Sequence, residues 1–303
     1  MRTLRRLTAI LTAAAALLTV AACGGQTPTY SGFVTATEFL PGPNRISFVL
    51  ADVNGVLLEE ASVQVRLVRL QPDGSEAPLA EIPAIWRRAE GGTPHLHPDG
   101  SLHTHLDVRG YYTADGAELP QQGTYLAYLG VVNAQGRTVR AEGFAFSVGA
   151  APSAVGVGQP APPTRNLTLA DATFRKLSSR AVETDPLHGA SVAGALAQGE
   201  PFVVTFASPA FCVSALCGPV VDEMAAAYEA LNGRAVFIHI EPWVLSIARE
   251  EGRLVLTPEA AEWGLPTEPW TFVVGADGRV AARFEGLVNR DEVLAALAAL
   301  GVR

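Results

Sequence analysis

The chain has 303 residues, 49% hydrophobic and 17% charged, with 22 basic against 30 acidic side chains. That composition supports substantial buried cores and excludes a disordered chain. Its acidic balance argues against nucleic acid as a partner, and anionic lipid would repel it.

Met1 to Ala22 begins with Arg2, Arg5 and Arg6, continues through an uncharged Ala/Leu/Thr run and ends in small residues before Cys23. The pattern is that of a secretory signal peptide, because the apolar run is too short to span a bilayer. Val20-Ala-Ala-Cys23 resembles the lipobox of bacterial lipoproteins. The resemblance implies cleavage before Cys23, lipidation of its thiol, a tether over 23–29 and an extracytoplasmic, lipid-anchored protein. Removing the leader leaves 19 basic residues against 30 acidic ones, so membrane attachment must come from the lipid.

From 30 to 148, short runs recur at even spacing: Gly32–Phe39, Arg45–Ala51, Ser62–Leu70, Ala80–Arg88, His103–Tyr112, Thr124–Val131 and Thr138–Val148. Asn54-Gly55, Asp73-Gly74, Asp99-Gly100, Asp115-Gly116 and Gln135-Gly136 punctuate them as turns. This predicts an all-β, Ig-like antiparallel sandwich. The domain is similar to the small periplasmic sandwiches of the YtkA and FixH type, some of which are associated with copper handling.

Within that region, His95-Leu-His-Pro-Asp-Gly-Ser-Leu-His-Thr-His105 holds four of the six histidines. Each His-x-His places two imidazoles on one strand face. With His97 opposite His103 and His95 opposite His105, four rings would share a face and suit copper, zinc or nickel. The competing expectation is a polar, solvated hairpin tip.

Gly149–Pro163 is uncharged and rich in Pro, Gly and Ala, and reads as an extended linker. From 164 to 303 the pattern becomes α/β. A helix is predicted over Ala190–Gln198, a strand over Pro201–Ala207, a helix over Ser214–Leu231 and a strand over Arg234–Glu241. A short helix over Pro258–Gly264 follows, then a hairpin from Pro269–Gly275 to Val280–Glu285, and a last helix over Asn289–Leu300 capped by Asn289.

The strongest chemical signal is Ala207-Ser-Pro-Ala-Phe-Cys-Val-Ser-Ala-Leu-Cys217, which runs from a buried strand toward a helix. Backbone N–H groups at a helix start favour a reactive thiolate. In an exported chain Cys212 and Cys217 can form a disulfide. In continuous helix, residues five apart lie roughly 8.6 Å apart at Cα. Closure therefore requires Cys212 on an irregular turn before the helix.

Phe206-Ala-Ser208, Pro219-Val-Val-Asp-Glu-Met224, Pro269-Trp-Thr-Phe-Val-Val274 and Ala276-Asp-Gly-Arg-Val280 resemble motifs of the thioredoxin superfamily. The resemblance implies a thioredoxin-like α/β domain, a mixed sheet flanked by helices. It also implies a cis Pro269 facing the redox pair, Cys212 as nucleophile and Cys217 as resolving thiol. An alternative alignment on Cys217-Gly-Pro-Val220 makes Cys217 the nucleophile. The family's usual C-x-x-C is here C-x4-C, its buried acid is replaced by Thr205, and proton handling passes to Glu268 or Glu241. The implied function is thiol–disulfide exchange on exported proteins, with no cofactor required.

The spaced pair also resembles the copper chaperones of cytochrome oxidase assembly, which implies the alternative of a copper-binding or metal-delivery lipoprotein. A third reading is a binding module with a structural disulfide. His239 is expected as a satisfied core histidine and His188 as an exposed one.

Overall fold

The computed structural model describes residues 29–89, 91, 94–96, 101–103, 109–182, 185–212 and 216–303. The signal peptide, Cys23, His97 and His105 lie outside them.

The amino-terminal part is built from strands β1 (Thr29–Val34), β2 (Gly42–Ala51), β3 (Ser62–Leu70) and β4 (Glu76–Arg88), followed by two-residue strands β5 (His95–Leu96) and β6 (Leu102–His103). Then come β7 (Gly110–Leu119), β8 (Gly123–Val132), β9 (Thr138–Glu142) and β10 (Phe144–Val148). The large sheet runs β10-β8-β3-β4-β7-β2-β1-β9, and β8 pairs with β9 as well. That last pairing closes a ring of seven strands. Alternation along β3 turns Val63, Val65 and Leu67 inward, where they meet Ile46 and Phe48 of β2, Tyr112 of β7 and Tyr125 of β8.

Two local features separate this barrel from the pattern expected of a sandwich. Asp115-Gly116 does not turn the chain; it lies inside β7, where pairing with β2 slips by one residue between Asn44 and Ile46. Gly116 adopts φ +71°, so the residue pair forms a bulge, which bends a strand and helps a sheet curl closed. The expected run Thr138–Val148 divides at Gly143, where a Cβ would stand 1.9 Å from the Ala127 carbonyl oxygen.

The carboxyl-terminal part contains α1 (Phe174–Leu177), a 3-10 turn at Pro186–His188, α2 (Val192–Gln198), β11 (Phe202–Phe206), α3 (Cys217–Leu231) and β12 (Val236–Ile240). These are followed by α4 (Leu245–Glu251), α5 (Pro258–Glu262), β13 (Trp270–Val274), β14 (Val280–Glu285) and α6 (Arg290–Ala299). Its four strands order as β12-β11-β13-β14, with β11 parallel to β12 and antiparallel to β13. β11 and β13 are buried along their whole length, which their β-branched and aromatic residues permit. Asn289 and Glu292 cap α6 reciprocally.

These observations correct the expected fold class. The chain is mostly β, with a closed seven-stranded barrel and few, mainly short helices; it is not the α/β thioredoxin fold with flanking helices preceded by an antiparallel sandwich. β9 completes the ring, pairing antiparallel with β8 and parallel with β1, whereas the expected sandwich was antiparallel throughout.

The two parts are joined by buried polar contacts. Arg45 of the barrel donates to Glu292 Oε1 at 2.7 Å and to the Leu287 carbonyl at 2.7 Å, while the Tyr111 hydroxyl donates to the same Glu292 carboxylate. Glu285 of β14 accepts from the Thr37 and Glu38 amides at 2.9 and 2.7 Å. Gly286, at φ +73°, brings the chains so close that a Cβ would lie 2.0 Å from the Thr35 carbonyl oxygen. The Pro/Gly/Ala segment is docked as well: the Gly158 amide bonds the Val280 carbonyl, and the Val280 amide bonds Gln159.

Candidate redox site

β11 delivers the chain into Ala207-Ser208-Pro209, and α3 starts at Cys217 with Pro219 inside its first turn, where a missing N–H costs nothing. Cys212 and Cys217 are disulfide-bonded with Cα atoms 6.0 Å apart. Cys212 precedes the helix, as closure of a five-residue spacing requires. Cys217 is fully buried, whereas Cys212 is partly exposed. The peptide bond from Glu268 to Pro269 is cis and leads into β13.

Glu268 stands beside the pair: a carboxyl oxygen and both sulfurs lie within 4.8 Å of one another. The sulfurs are bonded to each other, so the group is a disulfide with a neighbouring carboxyl. Glu268 Oε1 accepts from Trp243 Nε1 at 2.6 Å, and its buried Oε2 has no hydrogen-bond partner among the described residues. Burial pushes this carboxyl up to about 8; the Trp243 N–H works against that shift, and the nearby Glu241 charge adds to it.

Glu241, just past β12, is buried and accepts from the Ser179 amide at 2.6 Å and from the Ser208 hydroxyl. Burial raises its pKa, against those hydrogen bonds and the Arg249 charge. Ser208 lies four residues before Cys212, so Glu241 ties the cysteine loop to the end of β12. Glu241 and Trp243 also line an open cleft of about 870 Å³ together with His188, His239, Lys176 and Arg249.

The cleft wall contains a cluster that sequence reasoning did not assemble. His188 is buried, not exposed: its Nδ1 lies 2.7 Å from Asp185 Oδ1. His239 Nδ1 is 3.2 Å from His188 Nε2, and His239 Nε2 is 2.8 Å from the Ala207 carbonyl. A carboxylate and a carbonyl only accept, so these three bonds need three ring protons on two imidazoles. Burial, with the nearby His188 adding, pushes His239 down to about 3. Burial opposes ionisation of Asp185, but the His188 hydrogen bond and the neighbouring cations hold its carboxyl well below the usual range. Arg180 bridges Asp185 to Asp222 of α3, at 2.7 Å each. The legible signal was Asp185-Pro186, an N-cap followed by proline at the first position of a turn, which aims Asp185 back at residue 188.

The histidine hairpin differs from its expected register. His95 pairs with His103 and Leu96 with Leu102, so the 97-to-103 pairing does not form. The ladder is displaced by two residues from the expected register.

No family model and no curated protein matches the chain. Among solved structures, a family 123 glycoside hydrolase from Clostridium perfringens is similar over 42% of this chain and 24% of its own length, at 11% identity and a TM-score of 0.21. A likeness that low carries no argument about fold or function. The chain thus spans about a quarter of that structure. No described helix is long and apolar enough to cross a membrane.

Proposed function

We propose that this chain is a thiol–disulfide oxidoreductase, held at a membrane by lipid on Cys23, that exchanges electrons with exported proteins through Cys212 and Cys217. The observation that carries the reading is the asymmetric disulfide. One sulfur belongs to a partly exposed residue, the other to a fully buried one at a helix start, with a protonatable carboxyl beside both. A disulfide serving only as a staple has no need of that carboxyl.

A partner thiolate attacks Cys212, the intramolecular S–S bond breaks, and a partner–Cys212 disulfide forms. The electron pair leaves on Cys217, whose sulfur takes a proton from Glu268. A second partner thiolate then attacks the mixed disulfide and releases Cys212. The partner loses two electrons and two protons as it becomes a disulfide, and the Cys212/Cys217 pair gains both as a dithiol. The reverse sequence starts from the Cys212 thiolate, with Cys217 resolving the intermediate.

Replacing Cys217 with serine should trap partners on Cys212 as mixed disulfides that a reductant releases. Trapping by Cys212→Ser instead would make Cys217 the nucleophile. A pair whose potential lies below about −300 mV, and which traps nothing in either variant, would be a structural bond and would refute the proposal.

A further inference from the structure

We infer that Trp243 is a positioning residue of this redox site, holding Glu268 beside the sulfurs. This deepens the exchange reaction proposed above and rests on it.

Trp243 enters three residues after the end of β12, where the chain turns toward α4, and it forms part of the open cleft. Its indole N–H is a donor only, so it anchors one oxygen of Glu268 in either protonation state and cannot itself take the proton. The other oxygen is buried with no hydrogen-bond partner among the described residues, and a carboxyl oxygen lies within 4.8 Å of both sulfurs. When a sulfur leaves as thiolate, the proton passes from Glu268 to that sulfur. The new carboxylate then keeps one strong, charge-assisted hydrogen bond from Trp243.

Among the described residues, few titratable or redox-active groups face Glu268. Cys212 and Cys217 approach from the start of α3. Glu241 approaches from the end of β12, carrying the Arg249 guanidinium of α4 in its own surroundings. The His188–His239 pair lies further along the cleft and is matched by Asp185. Removing the Trp243 donor strips support from the charged form of Glu268, so its ionisation moves to higher pH. Trp243→Phe keeps an aromatic ring and removes only the donor, so a merely structural role for the side chain predicts no shift.

The test is the pH profile of reduction of the full-length oxidised protein by dithiothreitol, with each rate divided by the reductant's thiolate concentration. The wild type should lose roughly tenfold per thiolate as pH rises through about 8. That is less than full general-acid effects, because thiolates leave readily. Glu268→Gln should lack the inflection and Trp243→Phe should move it to higher pH. An inflection that Trp243→Phe leaves in place overturns the inference and leaves thiol exchange standing. A pair that dithiothreitol does not reduce at any pH overturns the exchange reading itself. Where Trp243→Phe does not fold, Glu268→Gln decides alone: an inflection that survives it overturns the inference.

Discussion

Replacing Glu268 with glutamine should flatten the dependence of folding stability on pH, whatever the disulfide does in turnover. The carboxyl's ordinary value is 4.5 and burial pushes it to about 8 in the folded protein. For an acid raised in this way, the folded state keeps a proton between those limits that the unfolded state has lost. Its contribution is therefore complete below pH 4.5 and declines as pH rises to 8. A gap of about three and a half pH units, at 1.36 kcal/mol per unit, sets an upper limit of about 5 kcal/mol. That is a large fraction of the ~5–15 kcal/mol that holds a typical domain folded. Glutamine still accepts from Trp243 Nε1 but cannot ionise, so the variant escapes the decline. Urea unfolding of the oxidised protein at pH 5 and pH 8.5 measures it. The wild type should lose several kcal/mol more than Glu268→Gln between the two conditions, with unchanged m-values. Equal losses would mean that Glu268 ionises as it would in water, and its role as acid would fall.

The interface and the hairpin give two further tests. Glu292→Gln should cost about 3–5 kcal/mol in thermal or denaturant unfolding, because it leaves the largely buried Arg45 guanidinium without its counter-charge. Arg45→Met combined with Glu292→Leu should recover most of that loss, and a cost under about 1 kcal/mol in the single variant would show the pair to be solvated. At the hairpin, the observed register makes His95 and His103 the directly opposed pair. His95→Ala/His103→Ala should weaken zinc or copper binding by tenfold or more in calorimetric titration; binding equal to wild type would leave the histidines as a polar turn.

What could be read from the sequence was local. The buried strands at Pro201–Ala207 and Pro269–Gly275, the helix capped by Asn289 and the cis peptide before Pro269 all carry their signals within a few residues. What escaped depended on contacts between distant segments. The pairing of β1 with β9 joins residues more than a hundred positions apart and changes a sandwich into a barrel. Asp115-Gly116 has the composition of a turn, yet the same positive φ that suits a turn also suits a bulge. Only pairing with β2 decides between them.

The site divides in the same way. Cys212 and Cys217 are visible because thiols are rare in this chain and closely spaced. Glu268 was reached through its position before Pro269. Trp243 offered no signal, since a tryptophan at the edge of an α/β pattern reads as core. Its indole is only partly buried, and its value lies in the direction of one N–H bond. The His188–Asp185 contact spans three residues, but its partner His239 lies fifty-one residues on, across the gap between the 3-10 turn and β12. Residue types showed which groups could do chemistry. The folded chain decides which of them act together, because the Trp243 N–H just past β12 meets the carboxyl just before β13 at 2.6 Å.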